Sequence, residues 1–164
     1  MLVSNNQKIK HEIERKFLID LANLPKNLEK FTSNLILQGY IEISDDFEDR
    51  LRQKGNKFYR TTKGKGDTER PEEEKEITET EFKTLWQKTE GKRVEKTRYE
   101  IPYGEYVIEL DVYRGNLVGL ITAEVEFISR EQELKFVPPS WFGEDVTKNP
   151  KYKNKNLAKF GIPN

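Results

Sequence analysis

The sequence predicts an α+β chain that is mainly β: eight antiparallel strands closing into a barrel with a charged lumen, and a few helices packed outside. Three observations carry this. Ionic residues recur two positions apart in segment after segment. The segments are joined by short turns, most of them containing Gly. Apolar residues make up only 34% of 164. Side chains at i and i+2 share one face of a strand, so each segment has an ionic face and an apolar one. So few apolar residues cannot fill a barrel and also pack helices against its outside. A wet, charged interior with the apolar face turned outward uses each apolar side chain once. The length suits one domain spanning 1–164.

The first strand is 11–19 (HEIERKFLI), with Glu12, Glu14 and Lys16 on one face and Ile13 and Phe17 on the other. Residues 21–33 are expected to hold a helix. Strands follow at 36–43 (ILQGYIEI), 48–54 (EDRLRQK), 57–63 (KFYRTTK) and 70–77 (RPEEEKEI). In them Arg50 and Arg52 flank Leu51, and Arg70, Glu72, Glu74 and Glu76 keep one parity. The charge run at 67–76, bounded by Gly64, Gly66 and Pro71, reads as a hairpin entering a strand. A helix is predicted over 78–89. Thr78 serves as N-cap, Glu81 completes a capping box, Ile77 and Phe82 form a staple, and Phe82, Leu85 and Trp86 make the apolar stripe. Strands at 93–101 (RVEKTRYEI), 106–113 (YVIELDVY) and 121–128 (ITAEVEFI) complete the eight. They carry the pairs Lys96 and Arg98, Glu109 and Asp111, and Glu124 and Glu126. A second helix follows Ser129, and a short one ends the chain at 152–160.

Any single strand of this kind also fits a one-sided sheet, polar outside and apolar inside. The residue types argue for more. The repeated positions are almost all Glu, Asp, Arg or Lys, and each strand is largely of one sign. Clustered carboxylates repel unless a hard cation sits between them. Clustered Arg and Lys call for a dense anion such as phosphate. A lumen holding both suits carboxylates around Mg²⁺ or Mn²⁺ and bases around a polyphosphate.

Composition closes other routes. Lys and Arg number 29 and Asp and Glu 29, so no net field draws the chain to nucleic acid or to a membrane surface. With no Cys and the single His11, thiol nucleophiles, disulfides and multi-histidine metal sites are excluded. No stretch approaches the ~20 apolar residues of a spanning helix, and the first twenty residues lack a signal-peptide core. A soluble, cytoplasmic protein is the expectation.

The motifs resemble those of the CYTH, or triphosphate tunnel metalloenzyme, family. Glu12-x-Glu14-x-Lys16 followed by FLI is similar to its signature. QGYI at 38–41, RLR at 50–52, TTKG at 61–64, KTRY at 96–99, ELDVY at 109–113, AEVEF at 123–127, PSWFGEDVT at 139–147 and YKNKNLA at 152–158 follow in the family's order. The likeness covers the whole chain and is nearest to short bacterial members that hydrolyse inorganic triphosphate. It implies an eight-stranded tunnel binding a linear triphosphate along its axis. Glu12, Glu14, Glu124 and Glu126 would ligate one or two divalent ions, with Glu72, Glu74 and Asp111 assisting. Lys16, Arg50, Arg52, Lys63, Arg70 and Arg98 would grip the phosphates. Lys96 would be the general base, contributing to the phosphate site as well, and Tyr40 would help close the site. The implied partner is a small molecule, inorganic triphosphate or a nucleoside triphosphate, acted on by a monomer or homodimer without nucleic acid or membrane. Adenylate cyclase and thiamine triphosphatase stay open within the family. A non-catalytic polyphosphate- or nucleotide-binding module stays open outside it.

Overall fold

The computed structural model describes residues 8–9, 13–64 and 71–164. One antiparallel sheet contains β1 (Lys8–Ile9), β2 (Ile13–Leu18), β3 (Thr32–Ile43), β4 (Glu48–Lys54), β5 (Lys57–Lys63), β6 (Pro71–Ile77), β7 (Arg93–Tyr103), β8 (Tyr106–Tyr113) and β9 (Ile121–Phe127). The order is β1-β6-β5-β4-β3-β7-β8-β9-β2. The eight strands β2 to β9 are those predicted; β1 is an addition. β3 starts earlier than predicted, because Thr32 to Leu35 pair with β7, Thr32 opposite Glu100 and Leu35 opposite Thr97.

The predicted closure is only partly met. β1 and β2 occupy opposite edges, and among the described residues no ladder joins them. Yet only residues 10–12 separate Ile9 from Ile13. Laid flat, nine strands at about 4.8 Å spacing would hold their edges ~38 Å apart. Four Cα steps reach at most ~15 Å. The sheet is therefore curled until its edges are near neighbours.

The outer face is apolar, as the composition requires. Behind β7, β8, β9 and β2, the side chains of Phe17, Ile101, Ile108, Leu110, Val125 and Phe127 form the main core. It is covered by residues following α2 (Arg130–Lys135), whose N-cap Ser129 accepts from the Gln132 amide. Phe136 is the centre of that cover, with rings of Phe17, Tyr106, Phe127 and Phe142 around it. Behind β4, β5 and β6, Leu51, Phe58 and Ile77 pack against Phe82, Leu85 and Trp86 of α1 (Glu79–Trp86). Thr78 caps α1 as predicted, accepting from the Glu81 amide and donating to the Glu81 carboxylate.

The expected helix at 21–33 does not form. Two single 3-10 turns, Leu21–Asn23 and Leu28–Lys30, stand in its place. Pro25 has no N–H to continue a helix, and Asn27 takes the left-handed conformation at φ 62°, one that Asn tolerates.

The inner face changes character along its length. On β2 it runs Glu14, Lys16, Leu18; on β7 Arg98, Lys96, Val94; on β8 Glu109, Asp111, Tyr113. At the apolar end Leu18, Val94, Tyr113, Leu117 and Leu120 close around Leu157 of α3 (Asn154–Phe160). At the ionic end lies the site. Among the described residues no helix is long and apolar enough to cross a membrane.

Candidate active site

The ionic end of the inner face encloses a cavity of about 440 Å³. Each of the strands β2 to β9 contributes to its lining. The neighbouring β8, β9 and β2 form an acidic wall of Glu109, Glu124, Glu126 and Glu14, with Lys16 among them. Across the cavity, β4 and β5 present Arg50, Arg52, Lys54 and Lys63, together with Glu48. β6 adds Glu72 and Glu74, β7 adds Arg98 and β3 adds Tyr40. Lys153, Asn154 and Lys155 approach from the start of α3. Thr61 Oγ1 steadies Glu74 by donating to its Oε1 at 3.0 Å. Lys16 Nζ donates to the Tyr152 carbonyl at 2.8 Å, tying β2 to the chain before α3.

The register sets like charges against each other. Glu14 stands opposite Glu126, and Glu109 opposite Glu124. Like charges directly opposite on paired strands are destabilising. Burial pushes the Glu109 carboxyl up, more than the adjacent Arg98 brings it down. Burial acts the same way on Glu124. There a hydrogen bond with Glu14 and the charges of Lys16, Lys96 and Arg98 outweigh it, leaving that carboxyl below its usual range. Among the described residues no three carboxylates stand preassembled as a metal cage; the acids are spread along the wall.

Behind this wall lies a second ionic layer. Asp111 Oδ2 is 2.8 Å from Lys96 Nζ. Asp111 also takes two hydrogen bonds from Arg98, from Nε to Oδ1 at 2.8 Å and from Nη2 to Oδ2 at 2.9 Å. Arg98 Nη1 reaches Glu109. Lys96 lies over the Tyr113 ring, 5.3 Å from its centroid. Burial lowers the Lys96 pKa to about 8, with Asp111 opposing and Arg98 and Arg52 assisting. Burial alone would raise the Asp111 carboxyl, but Lys96 and Arg98 carry it well below the usual carboxylate range.

A third arrangement links β3 and β4. Arg52 Nε donates to Gln38 Oε1 at 2.9 Å, and Gln38 Nε2 donates to the Tyr40 hydroxyl oxygen at 2.7 Å. Burial lowers the Arg52 pKa to about 10, helped by Arg50 and Arg98.

Of the residues singled out from sequence, Glu14, Lys16, Tyr40, Arg50, Arg52, Lys63, Glu72, Glu74, Arg98, Glu124 and Glu126 meet at the cavity. Lys96 and Asp111 do not reach its surface; both are fully buried. Glu12 and Arg70 lie outside the described residues. Sequence reasoning gave no site role to Gln38, Glu48, Lys54, Lys153, Asn154 and Lys155, nor to Glu109, which it placed on the ionic face with Asp111. Gln38 shares parity with Tyr40, Glu48 and Lys54 with Arg50, and Glu109 with Asp111, so for those four a signal existed. Residues 153–155 belong to no strand, so parity could not mark them; their signal was the YKNKNLA motif, to which no site role was given.

No family model matches the chain. Over 150 residues the chain is 46% identical to an inorganic triphosphatase of Nitrosomonas europaea, covering 90% of this chain and 96% of that one. It is 35% identical to an inorganic triphosphatase of Acetivibrio thermocellus, again over 150 residues, covering 90% and 93%. A crystal structure of an inorganic triphosphatase matches with a TM-score of 0.74 at 42% identity, over 93% of this chain and 97% of that one. A Hippeastrum protein, described as a candidate adenylyl cyclase that reveals a dominant triphosphatase activity, shares the fold alone: TM-score 0.54, 16% identity, 75% and 82% covered. Near-complete coverage by relatives this similar, on a sheet that turns its ionic face inward, shows that the chain belongs to the inorganic triphosphatases of the CYTH, or triphosphate tunnel metalloenzyme, family.

Proposed function

We propose that this chain hydrolyses inorganic triphosphate to pyrophosphate and orthophosphate, with Mg²⁺ or Mn²⁺ as cofactor, in a barrel closed into a tunnel around the substrate. The observation that carries this is the lining of the cavity, ionic at every position except Tyr40 and Asn154. Triphosphate carries ~4–5 negative charges near neutral pH, given a terminal phosphate pKa near 6. Lys16, Arg50, Arg52 and Lys63 are the groups that would match it. Adenylate cyclase and thiamine triphosphatase need a surface for a base or a ring; among the described residues the aromatic side chain of the lining is Tyr40 alone, 1% exposed.

The acidic wall fits a divalent ion. Its donors are all hard oxygens, two like-charged cross-strand pairs face one space, and Glu14 and Glu124 lie within hydrogen-bond reach of each other, where a cation would neutralise both. Glu14, Glu124 and Glu126 would hold the ion, with Glu72 and Glu74 across the cavity. When bound, such an ion neutralises phosphate oxygens and acidifies water. A pure anion-binding module would have no use for these acids.

The remaining chemistry is positioning, as phosphoryl transfer requires. Arg50, Arg52 and Lys16 hold the phosphate chain in line. Arg98 is fixed by Asp111 and Glu109 and keeps the potential positive beside the acids. Lys96, with its pKa near 8, has the proton affinity of a general base. Its position behind the wall favours a different role, holding Asp111 and through it Arg98. The deciding experiment is phosphate release from triphosphate, ATP and thiamine triphosphate with Mg²⁺, Mn²⁺ or EDTA. Release from triphosphate alone, abolished by EDTA, supports the reading. Cyclic AMP from ATP, or tight triphosphate binding without turnover under any divalent ion, defeats it.

A further inference from the structure

We infer that Gln38 is a positioning residue that turns the Tyr40 hydroxyl into a hydrogen-bond donor aimed at a phosphoryl oxygen of the bound substrate. The inference rests on the triphosphate reading of the cavity and assigns to that site a specificity determinant.

The direction of the relay follows from chemistry. Gln38 and Tyr40 share the inner face of β3 and are 0% and 1% exposed. An arginine nitrogen has no acceptor capacity, so Arg52 Nε can only donate. The side of the Gln38 amide that meets it at 2.9 Å must be the carbonyl oxygen. The amide NH₂ therefore faces Tyr40 at 2.7 Å, and it too can only donate. The phenol oxygen accepts, so its own hydrogen must point elsewhere. Among the described residues that hydrogen has no acceptor, and Tyr40 borders the cavity. Burial keeps the phenol protonated by raising its pKa, against the pull of Arg50.

Two consequences follow. The Arg52 charge polarises the amide, and the amide strengthens the phenol as a donor. With Nε committed to Gln38, Arg52 keeps its two terminal nitrogens for the anion. Guanidinium and phenol then offer only hydrogens to one region, which suits an unprotonated phosphoryl oxygen. The same relay assigns Tyr40 a donor's role and leaves proton abstraction to another group.

The test compares Tyr40→Phe, Gln38→Glu, Gln38→Met and the double variant Gln38→Glu/Tyr40→Phe. The carboxylate of Gln38→Glu accepts from both neighbours and turns the phenol hydrogen back from the cavity. Gln38→Met breaks the relay without adding charge. Triphosphate affinity is read by calorimetry on metal-free protein, hydrolysis by phosphate release, and folding by thermal melting. Tyr40→Phe and Gln38→Glu are each expected to lose about 10–100-fold in affinity or kcat/KM, the size of one hydrogen bond to a charged group. Gln38→Met is expected to lose about 3–10-fold on the scale of a neutral bond. The loss from Gln38→Glu should be at least about fivefold smaller in the Tyr40→Phe background, because coupled residues are not additive. Any effect of the added charge alone persists there. Equal losses in both backgrounds, or a Tyr40→Phe variant with wild-type affinity and turnover, overturn the inference. Binding without hydrolysis by the unmutated protein defeats the triphosphatase reading alone, since the affinity comparison still reads the relay. Absence of triphosphate binding and of hydrolysis, with Mg²⁺ as well as without it, defeats both.

Discussion

Asp111 Oδ2 lies 2.8 Å from Lys96 Nζ, and the two side chains are 1% and 0% exposed. With Arg98 as its third member, this buried cluster stands one layer behind the cavity and holds part of the wall in place. Removing one partner of a buried ion pair leaves an uncompensated charge. Asp111→Asn is therefore expected to cost about 3–5 kcal/mol at neutral pH by urea denaturation. It should also raise KM, because Arg98 loses its anchor.

The same carboxylate gives a pH signature. Its folded pKa is depressed below its ordinary value of 3.8. The stability it contributes is then complete above that value and is lost as pH falls below it. The gap between wild type and Asp111→Asn should narrow below about pH 4. Urea midpoints measured across that range check this.

Lys96 predicts the opposite limb. Its pKa is lowered from 10.5 to about 8, so between those values the unfolded chain binds the proton more tightly. Stability should rise with pH across that window. Lys96→Met, which cannot titrate, should remove the rise. A stability curve unchanged by the substitution would show that the buried amine does not titrate there.

Glu124→Gln with Glu126→Gln separates metal chemistry from folding. The pair removes charge from a wall where like charges oppose, so the melting temperature without metal is expected to hold or increase. The increase expected from Mn²⁺ in the unmutated protein should vanish in the variant, since stabilisation follows from binding to the folded state. Triphosphate hydrolysis should drop by about 100-fold or more, reflecting several kcal/mol of lost charge stabilisation.

At Gly39 the sheet comes close to the end of α1 and the turn that follows it. A Cβ there would lie 2.6 Å from Thr89 Oγ1 and 2.7 Å from Trp86 Cζ3. Thr89 cannot yield easily, because it donates to the Trp86 carbonyl and accepts from Arg93 Nε. Gly39→Ala is expected to cost about 1–3 kcal/mol through overpacking, visible as a lowered melting temperature. It should disturb Tyr40 next to it, visible in KM.

The eight strands were legible because period-two ionic residues have one economical arrangement in a chain this poor in apolar side chains. Parity identifies a face, however, and says nothing of depth along it. Glu109 and Asp111 share a face, yet one borders the cavity and the other is sealed beside Lys96. The difference comes from the gradient toward Tyr113 and Leu157, which no single strand reveals. Lys153 and Lys155 were hidden for another reason: they reach the cavity from a segment with no period to read. The missing helix at 21–33 was legible in Pro25, had its lack of an N–H been weighed above the composition around it.

The placement of β2 has a bearing on how the chain is made. Ile13 pairs with Phe127 and Leu18 with Thr122, so β2 must wait for a mate translated long after it. Contacts this distant in sequence form slowly. Until they form, a nascent chain would present an unpaired edge bearing Glu14 and Lys16, the kind of surface that invites aggregation. The acidic wall would then be among the last parts to assemble. No partly synthesised chain ending before β9 would be competent, and binding of an ion across β2 and β9 would double as a seal on the finished fold.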